Sequence, residues 1–81
     1  MHYQLYHFNL CPYCAKVRRA IQTMGAAIEL VDTRENPEKR EELLTATGRT
    51  QVPCLKIING DQVQWLHESD DIIDYIKQYI A

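Results

Sequence analysis

The chain has no apolar run approaching the ~20 residues that a membrane-spanning helix needs. Its opening, Met1-His2-Tyr3-Gln4-Leu5-Tyr6-His7-Phe8, carries neither the basic flank nor the apolar core of a secretory signal. A cytoplasmic location is therefore expected. An excess of charge of one sign is missing as well. The formal net charge is −2, which excludes the strongly basic footprint of a nucleic-acid-binding domain. Cysteine is scarce, with only three in the chain. An odd and small number argues against a secreted disulfide scaffold, which at this size usually carries four or more. Repeats, linkers and low-complexity runs are absent, and 81 residues allow one domain, residues 1–81. A chain this short buries only roughly 60–65 % of its unfolded surface, so it has few core positions to spare.

What is present reads as alternating strands and helices. Tyr3 to Phe8 alternates and is rich in aromatics, the pattern of a first strand. From Pro12 to Met24, Val17, Ala20, Ile21 and Met24 recur at helical spacing, with Gly25 as the stop. Ile28 to Val31 is a second strand ending at Asp32. Asn36-Pro37 then opens a second helix that closes at Gly48. Pro53 to Ile58 and Gln62 to Leu66 are strands, with Asn59-Gly60 as the hairpin turn between them. Ser69 is placed to cap a last helix carrying Ile72, Ile73, Ile76, Tyr79 and Ile80. The order β-α-β-α-β-β-α predicts an α/β fold with a mixed four-stranded sheet flanked by three helices. Its first two strands are parallel and its last two antiparallel.

The chemistry concentrates in Cys11-Pro12-Tyr13-Cys14. A thiolate, not a thiol, is the reactive species, and the unpaired N–H groups at a helix start favour that anion. Cys11 falls just before the helix and is expected to be the exposed nucleophile. Cys14, one turn on, is expected to be the more buried resolving thiol. Zinc is the weaker reading, because Cys54, His2, His7 and His67 supply no second ligand pair. An iron–sulfur cluster shared between two subunits stays open. A structural disulfide does not suit a reducing compartment.

With these residues in place, the whole chain resembles the glutaredoxin family. Cys11-Pro12-Tyr13-Cys14 is similar to its dithiol site, and Gln51-Val52-Pro53 to its cis-proline segment. Glu68-Ser69-Asp70-Asp71-Ile72-Ile73-Asp74-Tyr75-Ile76 is similar to the opening of the last helix in the glutathione-transferase-like branch. The resemblance implies a thioredoxin-like fold and a glutathione-dependent thiol–disulfide oxidoreductase. It implies catalytic Cys11 and Cys14, with glutathione as co-substrate and no metal. Glutathione would be held by Tyr13, Gln51, Val52, Pro53, Glu68 and Ser69. In that arrangement Val52 pairs through its backbone with the cysteinyl part, and Ser69 takes the γ-glutamyl carboxylate. Glu68 or Asp70 meets the amino group, and Arg49 or Gln51 the glycyl end. The implied partners are disulfide-containing or glutathionylated proteins, and the implied state is a monomer. Ending at Ala81, the chain is expected to lack the helical second domain of a full transferase.

Several residues have plainer readings. His7, Trp65 and Tyr79 are expected to pack. Glu38-Lys39-Arg40-Glu41-Glu42 is expected to be a solvated helix face. Cys54 is expected to turn away from the Pro53 face and lie in the interior as a bystander thiol.

Overall fold

A computed structural model describes residues 1–80. In chain order its elements are β1 (His2–His7), α1 (Pro12–Met24), β2 (Glu29–Asp32), α2 (Pro37–Thr47), β3 (Cys54–Asn59), β4 (Gln62–His67) and α3 (Ser69–Tyr75). A π-helical turn, Ile76–Ile80, continues α3. The four strands form one mixed sheet in the order β2-β1-β3-β4, the thioredoxin-like arrangement expected from the sequence. β1 runs parallel to β2, with Leu5 opposite Leu30, and antiparallel to β3, with Leu5 opposite Leu55. The first strand of the chain thus lies inside the sheet, with neighbours on both sides.

Strand alternation divides the apolar residues between two cores. On one face Leu5, Leu55 and Ile57 meet Val17 and Ile21 of α1 and Ile72 and Ile76 of the last helix. On the other, Tyr6, Val31 and Cys54 meet Leu43 of α2, with Trp65 packed edge-on to Tyr6 at 5.2 Å between ring centroids. Cys54 therefore lies where its place in the alternation predicts, fully buried and on the face opposite Leu55.

Three expectations need correction. The hairpin turn is Gly60-Asp61 and not Asn59-Gly60, since Asn59 still pairs with Gln62. Gly60 has φ +60°, and a glycine at the first central position suits the tight II′ hairpin turn. The last helix begins at Ser69, so Glu68 occupies the cap position. Neither side chain caps the helix by hydrogen bond. The charged run on α2 is not wholly solvated either. Glu42 accepts from Tyr6 Oη and from Lys56 Nζ at 2.6 Å, which ties the helix to the sheet beneath it. Burial alone would raise the Glu42 carboxyl, but those two hydrogen bonds outweigh it and hold the group below its ordinary value of 4.5.

Candidate active site

Cys11 is the N-cap of α1, in extended backbone (φ −79°, ψ 117°), and Pro12 opens the helix where its missing N–H costs nothing. The Cys11 sulfur accepts from the Cys14 backbone N–H at 3.3 Å, which satisfies one of the helix's unpaired donors. On its other side it lies 4.0 Å from the Val52 carbonyl. The expected order of burial holds, but Cys11 is far less open than predicted. It is 7 % exposed and Cys14 not at all. The Val52 carbonyl, carried in from a distant part of the chain, is among the neighbours of Cys11. Burial first, and then the hydrogen bond with Cys11, push the Cys14 thiol up to about 12.

The loop before Cys11 is held firmly. The Arg18 guanidinium, one turn beyond Cys14, donates to the carbonyls of Phe8 (3.3 Å) and Asn9 (3.2 Å) and lies 3.1 Å from His7 Nδ1. His7 is buried as expected. Its burial, and then the Arg18 charge, lower its pKa, so the neutral ring is available as an acceptor. Arg34 covers the Phe8 ring from outside at 4.1 Å.

Across from the thiols, the Val52–Pro53 peptide is cis, as the resemblance implies. A cavity of about 340 Å³ opens there, lined by Tyr13, Gln51, Val52, Pro53, Glu68, Ser69 and Asp70. All six residues named from the sequence as glutathione contacts thus come together, although they arrive from three separate segments. Tyr13 stands 65 % exposed at the rim. Gln51 Nε2 donates to Glu68 Oε1 at 3.4 Å, and Arg49 donates to Gln51 Oε1 at 3.1 Å. Asp70 is ion-paired with Lys16 of α1. Glu68 has φ +76°, a left-handed conformation rare for a residue with a side chain and typical of binding sites.

Other groups lie apart from this cleft. A larger cavity, about 760 Å³, runs between α2 and the β3–β4 hairpin past Glu38, Glu41, Lys56, Val63 and Trp65. Cys54 is pushed up to about 12 by burial, so it offers little thiolate. Among the described residues, no three His, Cys, Asp or Glu side chains gather at metal-binding range. Among the same residues, no helix is long and apolar enough to cross a membrane. Sequence reasoning missed Arg18. The available signal was a cation one turn from Cys14, beside the apolar stripe of Val17 and Ile21.

Residues 5–79 match the family described as glutathione S-transferase, N-terminal domain. The chain is 34 % identical over 77 residues to prostaglandin E synthase 2 of Mus musculus, covering 95 % of this chain and 19 % of that protein. It is 32 % identical over 54 residues to glutaredoxin 3 of Escherichia coli K12, covering 67 % of this chain and 65 % of the other. Among solved structures, the trimeric glutathione transferase TDR1 of Leishmania shares the fold. Its TM-score is 0.79 at 24 % identity, over 98 % of this chain and 18 % of the transferase.

Proposed function

The chain belongs to the glutathione S-transferase N-terminal domain family, and from that premise we propose that it is a glutathione-dependent thiol–disulfide oxidoreductase of the glutaredoxin kind. The observation that carries the proposal is the meeting of two thiols at a helix start with a polar cleft walled by a cis-proline loop. Cys11, as thiolate, attacks a glutathione mixed disulfide. The new bond joins Cys11 to the glutathione sulfur, and the substrate thiolate leaves and takes a proton. A second glutathione thiolate then attacks that sulfur, forming glutathione disulfide and freeing Cys11. With a protein disulfide, the Cys11 thiolate attacks one sulfur and frees the other as a thiolate that takes a proton. The Cys14 thiolate then attacks the Cys11 sulfur of that mixed disulfide, forms the Cys11–Cys14 bond and expels the second protein thiolate. Two glutathione molecules then reduce the Cys11–Cys14 bond and leave as glutathione disulfide.

The cleft would hold glutathione as an added strand along the Val52 backbone, with Ser69 and Glu68 at its γ-glutamyl end and Tyr13 and Gln51 alongside. The reading includes a monomer working in a reducing compartment such as the cytoplasm. Disulfide-containing or glutathionylated proteins are its partners and no metal takes part. An absorbance spectrum of the freshly purified protein tests that last point against a bound iron–sulfur cluster. Glutathione-disulfide formation, coupled to a reductase and started with a small mixed disulfide, tests the whole. Turnover above the protein-free rate is expected, and none would overturn the proposal. The likeness to prostaglandin E synthase 2 favours a second reading, the thiol domain of a prostaglandin-forming enzyme. Prostaglandin E formation by this chain, without disulfide reduction, would install it.

A further inference from the structure

We propose that the free edge of β4 docks protein substrates: it takes an extended segment bearing lysine or arginine and leads it to the glutathione cleft. This rests on the proposed oxidoreductase activity and names, by their chemistry, the proteins that such a chain reduces.

The sheet ends on β2 at one side and on β4 at the other, and the two edges are guarded differently. β2 is four residues long and carries Glu29 and Asp32 at its ends, which discourages pairing with another chain. β4 is six residues long, with no lysine, arginine, acid or proline. Its unbroken register with β3 also leaves it without a bulge, so none of the usual guards is there. The two-residue turn makes Asn59 and Gln62 a hydrogen-bonded pair, which gives Gln62, Gln64 and Leu66 to β3. The backbone N–H and C=O groups of Val63 and Trp65 therefore point out of the sheet. Among the described residues, no other backbone meets them.

An added strand needs room for side chains on both faces, and both faces offer it. On the α2 side lies the cavity of about 760 Å³ that Val63 and Trp65 help to line. On the other side a hollow of about 360 Å³ is lined by Gln64, Leu66 and Tyr75. The charge on the α2 wall selects the occupant. Glu38 and Glu41 are exposed there, and among the described residues neither has an ion-pair partner. Lys56, the cation lining that cavity, is already spent on Glu42 at 2.6 Å. A fitting segment thus turns lysine or arginine toward α2 and apolar side chains toward Leu66 and Tyr75. A second copy pairing through its own β4 brings no such cation and sets two acidic α2 walls side by side. The strand also has a direction. β4 runs into Glu68 of the glutathione cleft, about 17 Å beyond Val63. A segment paired antiparallel to β4 therefore starts beside the cleft, with its reactive cysteine ahead of its basic stretch.

Trp65 is the single tryptophan of the chain, so its emission reports this groove without any need for turnover. The probe is a cysteine-free peptide as long as β4 in which lysine and valine alternate, and its control has glutamate for lysine. The lysine peptide is expected to change Trp65 emission saturably, and the control to leave it alone. Replacing both carboxylates, Glu38→Gln with Glu41→Gln, should weaken binding about tenfold and flatten its salt dependence. Val63→Pro removes an outward N–H at an edge position that tolerates proline, and should weaken binding to a similar degree. Carrying a glutathionylated cysteine ahead of the same stretch, the lysine peptide should be reduced with about tenfold higher kcat/KM than its control. The variants should erase that preference while turning over a small glutathione mixed disulfide within about twofold of wild type. Equal treatment of the two peptides would overturn the inference, as would a preference that survives both variants or binding without a gain in rate. A wild-type dimer that Val63→Pro dissolves would give the edge to a second copy and overturn it too. No turnover of the small mixed disulfide, with lysine-peptide binding intact, would sink the oxidoreductase reading and leave the docking edge standing.

Discussion

The three cysteines differ in kind because their surroundings differ, and each difference has a measurable consequence. Cys11 has the helix start and, 4.0 Å away, the Val52 carbonyl of the cleft wall. Cys11→Ser is expected to abolish turnover with every substrate, and glutathione-disulfide formation above the protein-free rate would contradict that. Cys14 is deeper, and the use proposed for it is intramolecular. Cys14→Ser should keep reduction of glutathione mixed disulfides and lose most reduction of protein disulfides, which parallel assays on the two substrate types would show. Cys54 packs against Tyr6, Val31 and Leu43. Cys54→Ala should leave turnover within a factor of about three and cost roughly 1 kcal/mol of stability as a small cavity opens. In the folded reduced protein Cys54 should label slowly, and rapid alkylation there would remove its bystander status. At this scale the sequence was most legible where spacing alone sets chemistry, as in Cys11 and Cys14, or where alternation sets a face, as in Cys54. It misled where a residue's state depends on distant chain. Cys11 meets Val52 from a distant segment, and Ser69 yields the cap position to Glu68 with its left-handed backbone, which no local pattern announces.

Among the elements, α1 was legible to the residue because its apolar stripe, its proline and its glycine all agree. The strands slipped by a residue at their ends, since the hairpin turn could take Gly60 at either central place. α2 is the least predictable piece. Its sequence promises a helix, but of its residues only Leu43 is buried. What attaches it besides Leu43 is the cluster of Tyr6, Glu42 and Lys56, polar partners from three elements whose meeting follows from the tertiary fold. That attachment should depend on pH. The Glu42 carboxyl is lowered in the folded state, so its contribution is present above its unfolded value and is lost as pH falls through the folded one. Glu42→Gln is expected to cost about 1 kcal/mol near neutral pH, a modest figure because the group is partly in water. At pH 3 the difference from wild type should be smaller than at neutral pH. Urea midpoints at the two pH values check this, and a difference that grew in acid would count against the cluster.

The whole molecule has little stability in reserve. At roughly 0.05–0.15 kcal/mol per residue, a chain of this size is held by about 4–12 kcal/mol. Leu55 lies on a central strand, fully buried between α1 and the last helix. Leu55→Ala should cost about 2–5 kcal/mol, enough to lose much of the fold near 37 °C. Circular dichroism and disulfide-reductase activity should then fall together on heating, because the cleft is built from three distant segments and survives only as long as the sheet does. The placement of β1 between β2 and β3 also has a consequence in time. During synthesis this strand emerges first, yet its second neighbour follows only after the stretch from Phe8 to Pro53 has been added. At ~5–20 residues per second that interval lasts several seconds. For most of it one edge of β1 is open and the Cys11–Cys14 pair exists without the loop that later lies beside it, so the newborn chain carries both sulfurs before it has the wall that will face them.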